Sequence, residues 1–203
     1  MSTIILVRHG HVAGIDPPCF RGRADLALTE RGQDEARRVA KRIADVWSPV
    51  MIYTSPRRRC VDTGRAIADA CNIRSQILTD VDDLDYGTWQ GRTWDEARGE
   101  DPALLEAWFD TPDQVGFPGG ESLQDVAARV ARALRVLYAR HIHETIVLVS
   151  HDGVNRVILA LILNTPLSSY WRLIQEPCCI NEIEHDCHGA RVRHINDTAH
   201  LRV

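Results

Sequence analysis

The chain has 203 residues, with 24 basic and 28 acidic side chains and a formal net charge of -4. Its hydrophobic fraction of 44% and charged fraction of 26% are typical of a single globular domain and exclude disordered, collagen-like and coiled-coil proteins. The mildly acidic balance also argues against a general nucleic-acid-binding protein, because such proteins need a basic surface to displace counterions.

The N-terminal sequence lacks the basic stretch and the long apolar stretch of a signal peptide. The longest apolar run, residues 157–163, is far shorter than the ~20 residues that span a bilayer. Six cysteines show no CxxC pair, which favours reduced thiols over a disulfide framework. We therefore expect a cytoplasmic protein that does not interact with a membrane.

Three short, nearly continuous apolar runs at 3–7, 50–54 and 145–149 predict strands that are buried on both faces of a parallel sheet. Apolar residues spaced three and four apart predict a helix over 36–46. A second helix is predicted to follow a Ser122-to-Asp125 capping box, and a third to span 154–163. This alternation of strands and helices predicts an α/β fold, a three-layer αβα sandwich with a mostly parallel central sheet.

Residues 86–121 differ from the rest of the chain, because they are rich in Gly, Pro, Trp and acidic side chains. Short helical patterns lie around 94–97 and 104–109. We interpret this segment as an excursion that covers one edge of the sheet, within a single domain over 1–203. The weak alternation of 180–203 predicts an edge hairpin that turns at His188-Gly189.

Polar residues follow each predicted strand: Arg8-His9-Gly10, then residues 55–59, then residues 150–153. Ligands of open parallel sheets bind beyond the carboxyl ends of the strands, so these clusters should converge. Ser55 and Pro56 predict a helix N-cap followed by Pro at the first helical position, which would add backbone N–H groups and a positive dipole end. Together these features predict a site for a phosphate-like dianion.

Most of the other arginines need no functional explanation. Successive residues of a helix turn by ~100°, so at least one of Arg57, Arg58 and Arg59 should be a solvated surface charge. Other arginines sit on predicted helix faces and need no function: Arg37, Arg38, Arg129, Arg132 and Arg135.

Five ordered blocks span nearly the whole chain: 8–10 with its continuation to 32, then 55–63, 84–91, 118–122 and 149–153. These blocks resemble the histidine phosphatase superfamily, in particular its phosphoglycerate-mutase-like branch, branch 1. The resemblance implies that His9 is the nucleophile. It also implies that Arg8, Arg59 and His151 bind the phosphoryl group.

The residue types fit this chemistry. A neutral imidazole can attack phosphorus, and nearby positive charge lowers the pKa of His9 and so favours its neutral form. The planar forks of Arg8 and Arg59 suit phosphoryl oxygens. His151, if protonated, would add a further cationic donor. We expect no metal and no other cofactor.

Two carboxylates are candidates for the proton donor. Asp83 stands where the family has a Glu, four residues before Gly87. Asp152 is the rival, because the acid-phosphatase branch has a carboxylate directly after its second histidine; the R-x-P motif of that branch is absent here, which favours Asp83. Arg21 stands where many members have Gln and could contact substrate.

The mutase pattern is incomplete, because Val12 and Ile15 replace polar substrate-contacting residues of the mutases and the linker over 89–119 is short. We therefore expect a metal-independent phosphomonoester phosphatase that acts through a phosphohistidine on a small phosphorylated metabolite. The alternatives are a phosphoglycerate mutase, an α-ribazole-phosphate phosphatase and a non-catalytic phosphate-binding regulator. The sequence does not indicate the physiological substrate or the oligomeric state.

Overall fold

The computed structural model describes residues 1–202, and among them six strands form one sheet. The strands are β1 Ser2–Arg8, β2 Met51–Thr54, β3 Ser75–Ile77, β4 Thr145–Ser150, β5 Ile180–Asp186 and β6 Gly189–Asp197, arranged in the order β3-β2-β4-β1-β5-β6. Strands β3, β2, β4 and β1 run parallel, whereas β5 and β6 are antiparallel to their neighbours. The predicted α/β fold with a mostly parallel sheet is thus confirmed. Strand β3 was not predicted, because its three residues are all exposed and show no apolar pattern.

Six α-helices accompany the sheet in the described part of the chain. They are α1 Glu30–Val46, α2 Arg58–Cys71, α3 Trp94–Glu100, α4 Pro102–Asp110, α5 Leu123–Arg140 and α6 Asp152–Leu163. The predicted capping box is present, because Ser122 Oγ accepts from the Asp125 N–H and the Asp125 carboxylate accepts from the Ser122 N–H. It fixes the start of α5.

The core consists of two layers separated by the sheet, because side chains of a strand alternate between its faces. Ile4 and Leu6 of β1 belong to the cluster formed with α5 and α6, whereas Ile5 and Val7 belong to the cluster formed with α1 and α2. These four side chains are fully buried. The predicted three-layer αβα arrangement follows directly from this alternation.

Residues 86–121 add aromatic side chains to the core on the α5–α6 face. Trp89, Trp108 and Phe117 are buried there, and the Trp108 and Phe117 ring centroids lie 5.0 Å apart in an edge-on arrangement. Such arrangements favour aromatic pairs over face-to-face stacks. The segment thereby forms a wall beyond the carboxyl end of β1.

Strands β5 and β6 form the predicted hairpin. Gly189 is the first residue of β6, directly after the turn, and has a positive φ of +106°. Glycine adopts such a conformation without strain. No helix within residues 1–202 combines the length and apolar character needed to cross a bilayer.

Candidate active site

A cavity of about 210 Å³ opens at the carboxyl ends of β1 and β4. Five of the seven residues that the sequence singled out line it: Arg8, His9, Arg21, Asp83 and Asp152. The other two, Arg59 and His151, are fully buried behind this lining, and both contact the Asp83 carboxylate. The predicted residues therefore converge in two layers, one facing the cavity and one behind it.

His9 is fixed by main-chain contacts just after β1. Its N–H donates to the Ser150 carbonyl at 3.0 Å, and its ring Nδ1 lies 2.7 Å from the Gly10 carbonyl oxygen. A carbonyl can only accept, so Nδ1 carries the proton and Nε2 keeps its lone pair. Gly10 permits this geometry, because a Cβ there would lie 2.5 Å from the Gly32 carbonyl oxygen at the start of α1.

The surroundings of His9 also determine its charge. Burial lowers the pKa of His9 well below its ordinary value, and the positive charges of Arg59 and Arg8 lower it further. The sequence indicated the effect of the arginines, and the structure adds burial as the larger cause. His9 is therefore neutral at physiological pH, with Nε2 available as a nucleophile.

Arg8 has an unsatisfied donor at the cavity. Its Nη1 donates to the Gln175 carbonyl at 2.5 Å, whereas its Nε is buried and has no partner among residues 1–202. The Gln175 side chain is itself held by Asn181, at 2.8 Å. Buried donors without a partner are rare in proteins, and Arg8 lines the cavity, so its guanidinium is available to an anion there.

Arg59 and Asp83 form a buried ion pair behind His9. Arg59 donates to the carbonyls of Gly22 and Ala24, each at 2.6 Å, and to Asp83 Oδ2 at 2.9 Å. A phosphoryl group that reaches Arg59 must compete with this carboxylate. Burial raises the pKa of Asp83 above its ordinary value, although Arg59 and Arg21 oppose the rise. Asp83 therefore keeps a proton to a higher pH than an exposed Asp, as a general acid must.

His151 is neutral rather than protonated, which corrects the cationic role considered for it from sequence. Burial, followed by the charge of Arg59, lowers the pKa of His151 well below its ordinary value. The Arg59 Nε always carries a proton and donates to Nδ1 at 3.3 Å. Nε2 therefore bears the proton and donates to Ser55 Oγ at 2.7 Å, and Ser55 in turn donates to Asp82 at 3.2 Å.

The predicted helix cap at Ser55 and Pro56 is wrong by two residues, because α2 begins at Arg58 with Arg57 as its N-cap. The Ser55 hydroxyl accepts from His151 and from the Arg57 N–H, at 2.7 and 3.3 Å, and donates to Asp82. Asp25 accepts from the Arg58 N–H at 2.8 Å. The protein thus satisfies this helix N-terminus itself, and none of residues 57–59 lines the cavity.

Asp152, the rival acid, is held by a partner that sequence reasoning missed. It is the first residue of α6, and Arg156 one turn later donates to its Oδ1 at 2.6 Å and to its Oδ2 at 3.3 Å. Only 11% of the Arg156 side chain is exposed. The Asp152 carboxylate is therefore fixed in place beside the cavity.

Sequence reasoning also missed the six aromatic side chains of the cavity. One of them is Phe20, and the other five are here called the aromatic wall: Tyr86, Trp94, Trp108, Tyr170 and Trp171. Three belong to the 86–121 segment, and two belong to the turn over 167–172 that follows α6. No residue pattern in the sequence separates these rings from ordinary core residues. Only the fold brings the two segments together.

Arg129, a helix-face residue for which the sequence indicated no function, has a structural role. It is buried in α5 and donates to both carboxylate oxygens of Glu121, at 3.0 and 3.1 Å. It also donates to the carbonyls of Asp80 and Asp83, at 2.8 and 3.2 Å. Arg129 therefore connects the irregular segment that contains Asp83 to α5 through hydrogen bonds.

Cationic charge at the cavity comes from guanidinium groups. Arg8, Arg21 and Arg156 line it, and Arg59 lies behind. Among residues 1–202 no three His, Cys, Asp or Glu side chains are grouped so that they could hold a metal ion. Arginine forks of this kind suit the oxygens of an oxyanion.

The model of the histidine phosphatase superfamily (branch 1) matches residues 4–198, and the chain belongs to this family. The signature residues that suggested the resemblance lie within the matched range: Arg8 to Gly10 starts at the last residue of β1, and Ser150 to Gly153 starts at the last residue of β4. The α/β architecture agrees with this assignment.

Individual relatives narrow the activity. The chain is 30% identical to phosphoserine phosphatase 1 of Hydrogenobacter thermophilus over 201 aligned residues. The alignment covers 99% of this chain and 95% of that protein. It is 31% identical to a metal-independent phosphoserine phosphatase of Arabidopsis thaliana, over 86% and 73% of the two chains. The solved structure of Bacillus stearothermophilus YhfR superposes over both whole chains with a TM-score of 0.94 at 28% identity. The protein is thus a histidine-type phosphatase that acts on phosphorylated metabolites.

Proposed function

We propose that the protein is a metal-independent phosphomonoesterase that forms a phosphohistidine at His9. The observation that carries this proposal is the His9 ring, whose Nδ1 proton is bound to the Gly10 carbonyl while Nε2 remains free beside the cavity. Arg8 lines the same cavity, so its guanidinium can donate to the phosphoryl group there. A nucleophile and an anion-binding donor are therefore assembled together.

In the first step, the lone pair of His9 Nε2 attacks phosphorus in line with the ester oxygen. The N–P bond forms, the P–O bond breaks, and its electron pair leaves with the alkoxide oxygen. Arg8 and Arg59 bind the non-bridging oxygens, and their charge stabilises the transition state. An alkoxide is a poor leaving group, so a general acid must protonate it.

Asp83 supplies this proton better than Asp152. Burial raises the pKa of Asp83, and a phosphoryl group bound to Arg59 would displace the carboxylate from its ion pair and favour its protonated form. Both oxygens of Asp152 are instead engaged by Arg156. In the second step, Asp83 takes a proton from a water molecule whose oxygen attacks phosphorus. The new O–P bond forms, the N–P bond breaks with its electron pair returning to His9 Nε2, and phosphate leaves.

His151 contributes in this scheme as a neutral group. Its Nδ1 accepts from Arg59 Nε and holds the guanidinium beside Asp83, and its Nε2–H is anchored on Ser55. It therefore orients the phosphate-binding arginine. A tenfold loss of phosphate affinity in a His151→Ala variant would follow from a less ordered guanidinium.

Rapid-quench labelling tests the proposal. Brief incubation with a ³²P-labelled aryl phosphate should leave acid-labile label on the wild-type protein and none on a His9→Gln variant. His11→Gln is the matched control, because His11 lies two residues away and bonds Thr29 rather than lining the cavity. Label that persists in His9→Gln contradicts the proposal. Interconversion of monophosphoglycerates with a bisphosphate primer, without release of phosphate, would indicate a mutase instead.

The size of the cavity bears on the substrate. Pockets for drug-sized ligands measure roughly 300–1,000 Å³, and this cavity of about 210 Å³ is smaller. A compact phosphorylated metabolite is therefore favoured over a nucleotide-like ester such as α-ribazole phosphate. The names of the two curated relatives make O-phospho-L-serine the first compound to assay. Six unpaired thiols support a location in the reducing cytoplasm.

A further inference from the structure

The cavity has a second polar centre that the proposed hydrolysis does not use. Asp152 lines the cavity with 26% of its side chain exposed, and Arg156 binds both of its oxygens. The Arg156 guanidinium lies 5.1 Å from the Tyr170 ring centroid and 4.9 Å from that of Trp171. An arginine packed against two rings has restricted motion, and so has the carboxylate that it holds.

The backbone beside Asp152 is also adapted to this arrangement. A Cβ on Gly153 would lie 2.6 Å from the Tyr170 hydroxyl, so glycine lets this aromatic side chain approach the start of α6. The approach places Tyr170 against Arg156 as well as against the cavity. The position and orientation of Asp152 are therefore determined by packing and not by solvent.

An ionised carboxylate only accepts hydrogen bonds, and its two oxygens offer about four acceptor positions. Arg156 uses two of them, and the others are available to a ligand in the cavity. An ammonium group fits such an acceptor best, because both partners are charged. Arg21 lines the same cavity and donates from Nη1 to the Gly14 carbonyl. Its other N–H groups are available to a carboxylate of the ligand.

We propose that Asp152 is a specificity-determining residue that accepts a hydrogen bond from an ammonium group on the leaving alcohol, so that the preferred substrates are small phosphate esters of amino alcohols bearing a carboxylate. This inference rests on the proposed phosphatase function and adds the substrate class. Arg156 is a positioning residue, because it acts through Asp152.

Three esters of the same length isolate the ammonium group: O-phospho-L-serine, 3-phosphoglycerate and 3-phosphonooxypropanoate. They carry an ammonium, a hydroxyl and a hydrogen at the same carbon. In Asp152→Asn, the ratio of kcat/KM for the ammonium ester to that for the hydrogen ester should fall about 10- to 100-fold relative to wild type, because a charge-assisted bond is lost. The amide oxygen of Asn still accepts from Arg156, so the local fold is retained.

Three outcomes overturn the inference. An equal loss of kcat/KM for all three esters would leave the ratio unchanged and would place Asp152 in the chemical step instead. Unchanged kcat/KM for all three esters would deny it any role. If the loss were greatest for 3-phosphoglycerate, the group that Asp152 recognises would be a hydroxyl and not an ammonium, which also contradicts the proposal. Arg156→Lys provides a second variant, because one ammonium cannot hold both carboxylate oxygens, and it should reduce the same ratio.

Asp95→Asn is the control variant, because Asp95 is an exposed helical carboxylate that pairs with Arg98 and does not line the cavity. Histidine labelling in the same preparations separates the two proposals. A changed ester ratio in a protein that forms no phosphohistidine would contradict the proposed mechanism and support the assignment of Asp152. Normal labelling with an unchanged ratio would do the reverse.

Discussion

The two ends of the cavity are built differently. At the phosphoryl end, defined as Arg8, His9, Arg59, Asp83 and His151, the polar groups bind main-chain carbonyls and one another. At the aromatic wall, rings meet edge to face, as for Trp108 and Trp171 with centroids 5.5 Å apart. The first end is fixed by directional hydrogen bonds and the second by packing. On the proposed function, the first end would carry out the reaction and the second would select the alcohol.

Substitutions should therefore have different consequences at the two ends. The carbonyl partners of Arg8, His9 and Arg59 belong to the backbone and cannot be removed by changing a neighbouring side chain. Preorganised groups of this kind account for large rate effects. A change in the aromatic wall alters shape and weak ring contacts, and its effects should be smaller and should depend on the substrate.

The largest expected effect tests the phosphoryl end. Asp83→Asn keeps a hydrogen-bond acceptor for Arg59 but cannot donate a proton, so kcat/KM for alkyl phosphates should fall roughly 10²- to 10⁴-fold. Aryl phosphates, whose leaving groups need no proton, should lose much less. Steady-state kinetics on the two ester classes provide the measurement, and equal losses would remove the acid role from Asp83.

The same roles predict the direction in which activity changes with pH. His9 must be neutral, and its lowered pKa places the acid limb of kcat/KM below the ordinary range of histidine. Asp83 must be protonated, and its raised pKa moves the alkaline limb above the ordinary range of Asp. Activity on alkyl phosphates should thus fall as the pH rises, and Asp83→Asn should lose this alkaline limb. Asp80→Asn, whose carboxylate pairs with surface Arg132, should leave the profile unchanged.

The difference between the two ends also explains what could be predicted from sequence. The ends of buried strands carry three of the site residues: Arg8 is the last residue of β1, His9 follows it, and His151 follows β4. Strand ends are recognisable from apolar runs, and they converge in a parallel sheet. Asp83 lies in an irregular stretch, and only the family resemblance located it. The polar groups that the sheet places were therefore predictable, whereas their protonation depends on burial, as the neutral His151 shows.

The aromatic wall could not be predicted for a physical reason. Tyr170 and Trp171 lie about 60 residues from Trp108 in the chain, yet their rings pack together, and packing between distant segments leaves no local periodicity. Arg129 illustrates the same point, because its burial arises from contacts with Glu121 and with the carbonyls of Asp80 and Asp83. The spacing along a helix indicated its face but not what covers that face.

Arg129 tests how precisely the phosphoryl end must be positioned. Arg129→Lys keeps the charge but cannot bind Glu121 and two carbonyls at once, so Asp83 should shift. A misplacement of about 1 Å can cost up to about 10²-fold in rate, and we expect kcat to fall with little change in KM. The alkaline limb should also move, whereas a residue that only stabilises the fold would lower the melting temperature alone. Arg132→Lys, one turn away and exposed, is the matched control.

The smallest expected effect tests the aromatic wall. Trp171 donates from Nε1 to the Trp108 carbonyl at 2.7 Å, and its ring centroid lies 4.9 Å from the Arg156 guanidinium. Trp171→Phe removes the hydrogen bond and weakens the cation–π contact, which is worth about 0.5–1 kcal/mol at an exposed site, so KM should rise roughly two- to fivefold. The rate of His9 labelling should be unchanged.

A matched contact away from the cavity makes this last effect interpretable. The Arg42 guanidinium lies 5.7 Å from the Trp47 ring centroid, and neither residue lines the cavity. Trp47→Phe should therefore leave KM unchanged while removing a comparable cation–π contact. If Trp171→Phe instead lowers the labelling rate as strongly as Arg129→Lys lowers kcat, the aromatic wall takes part in the chemistry. The division between a reacting end and a selecting end would then be wrong.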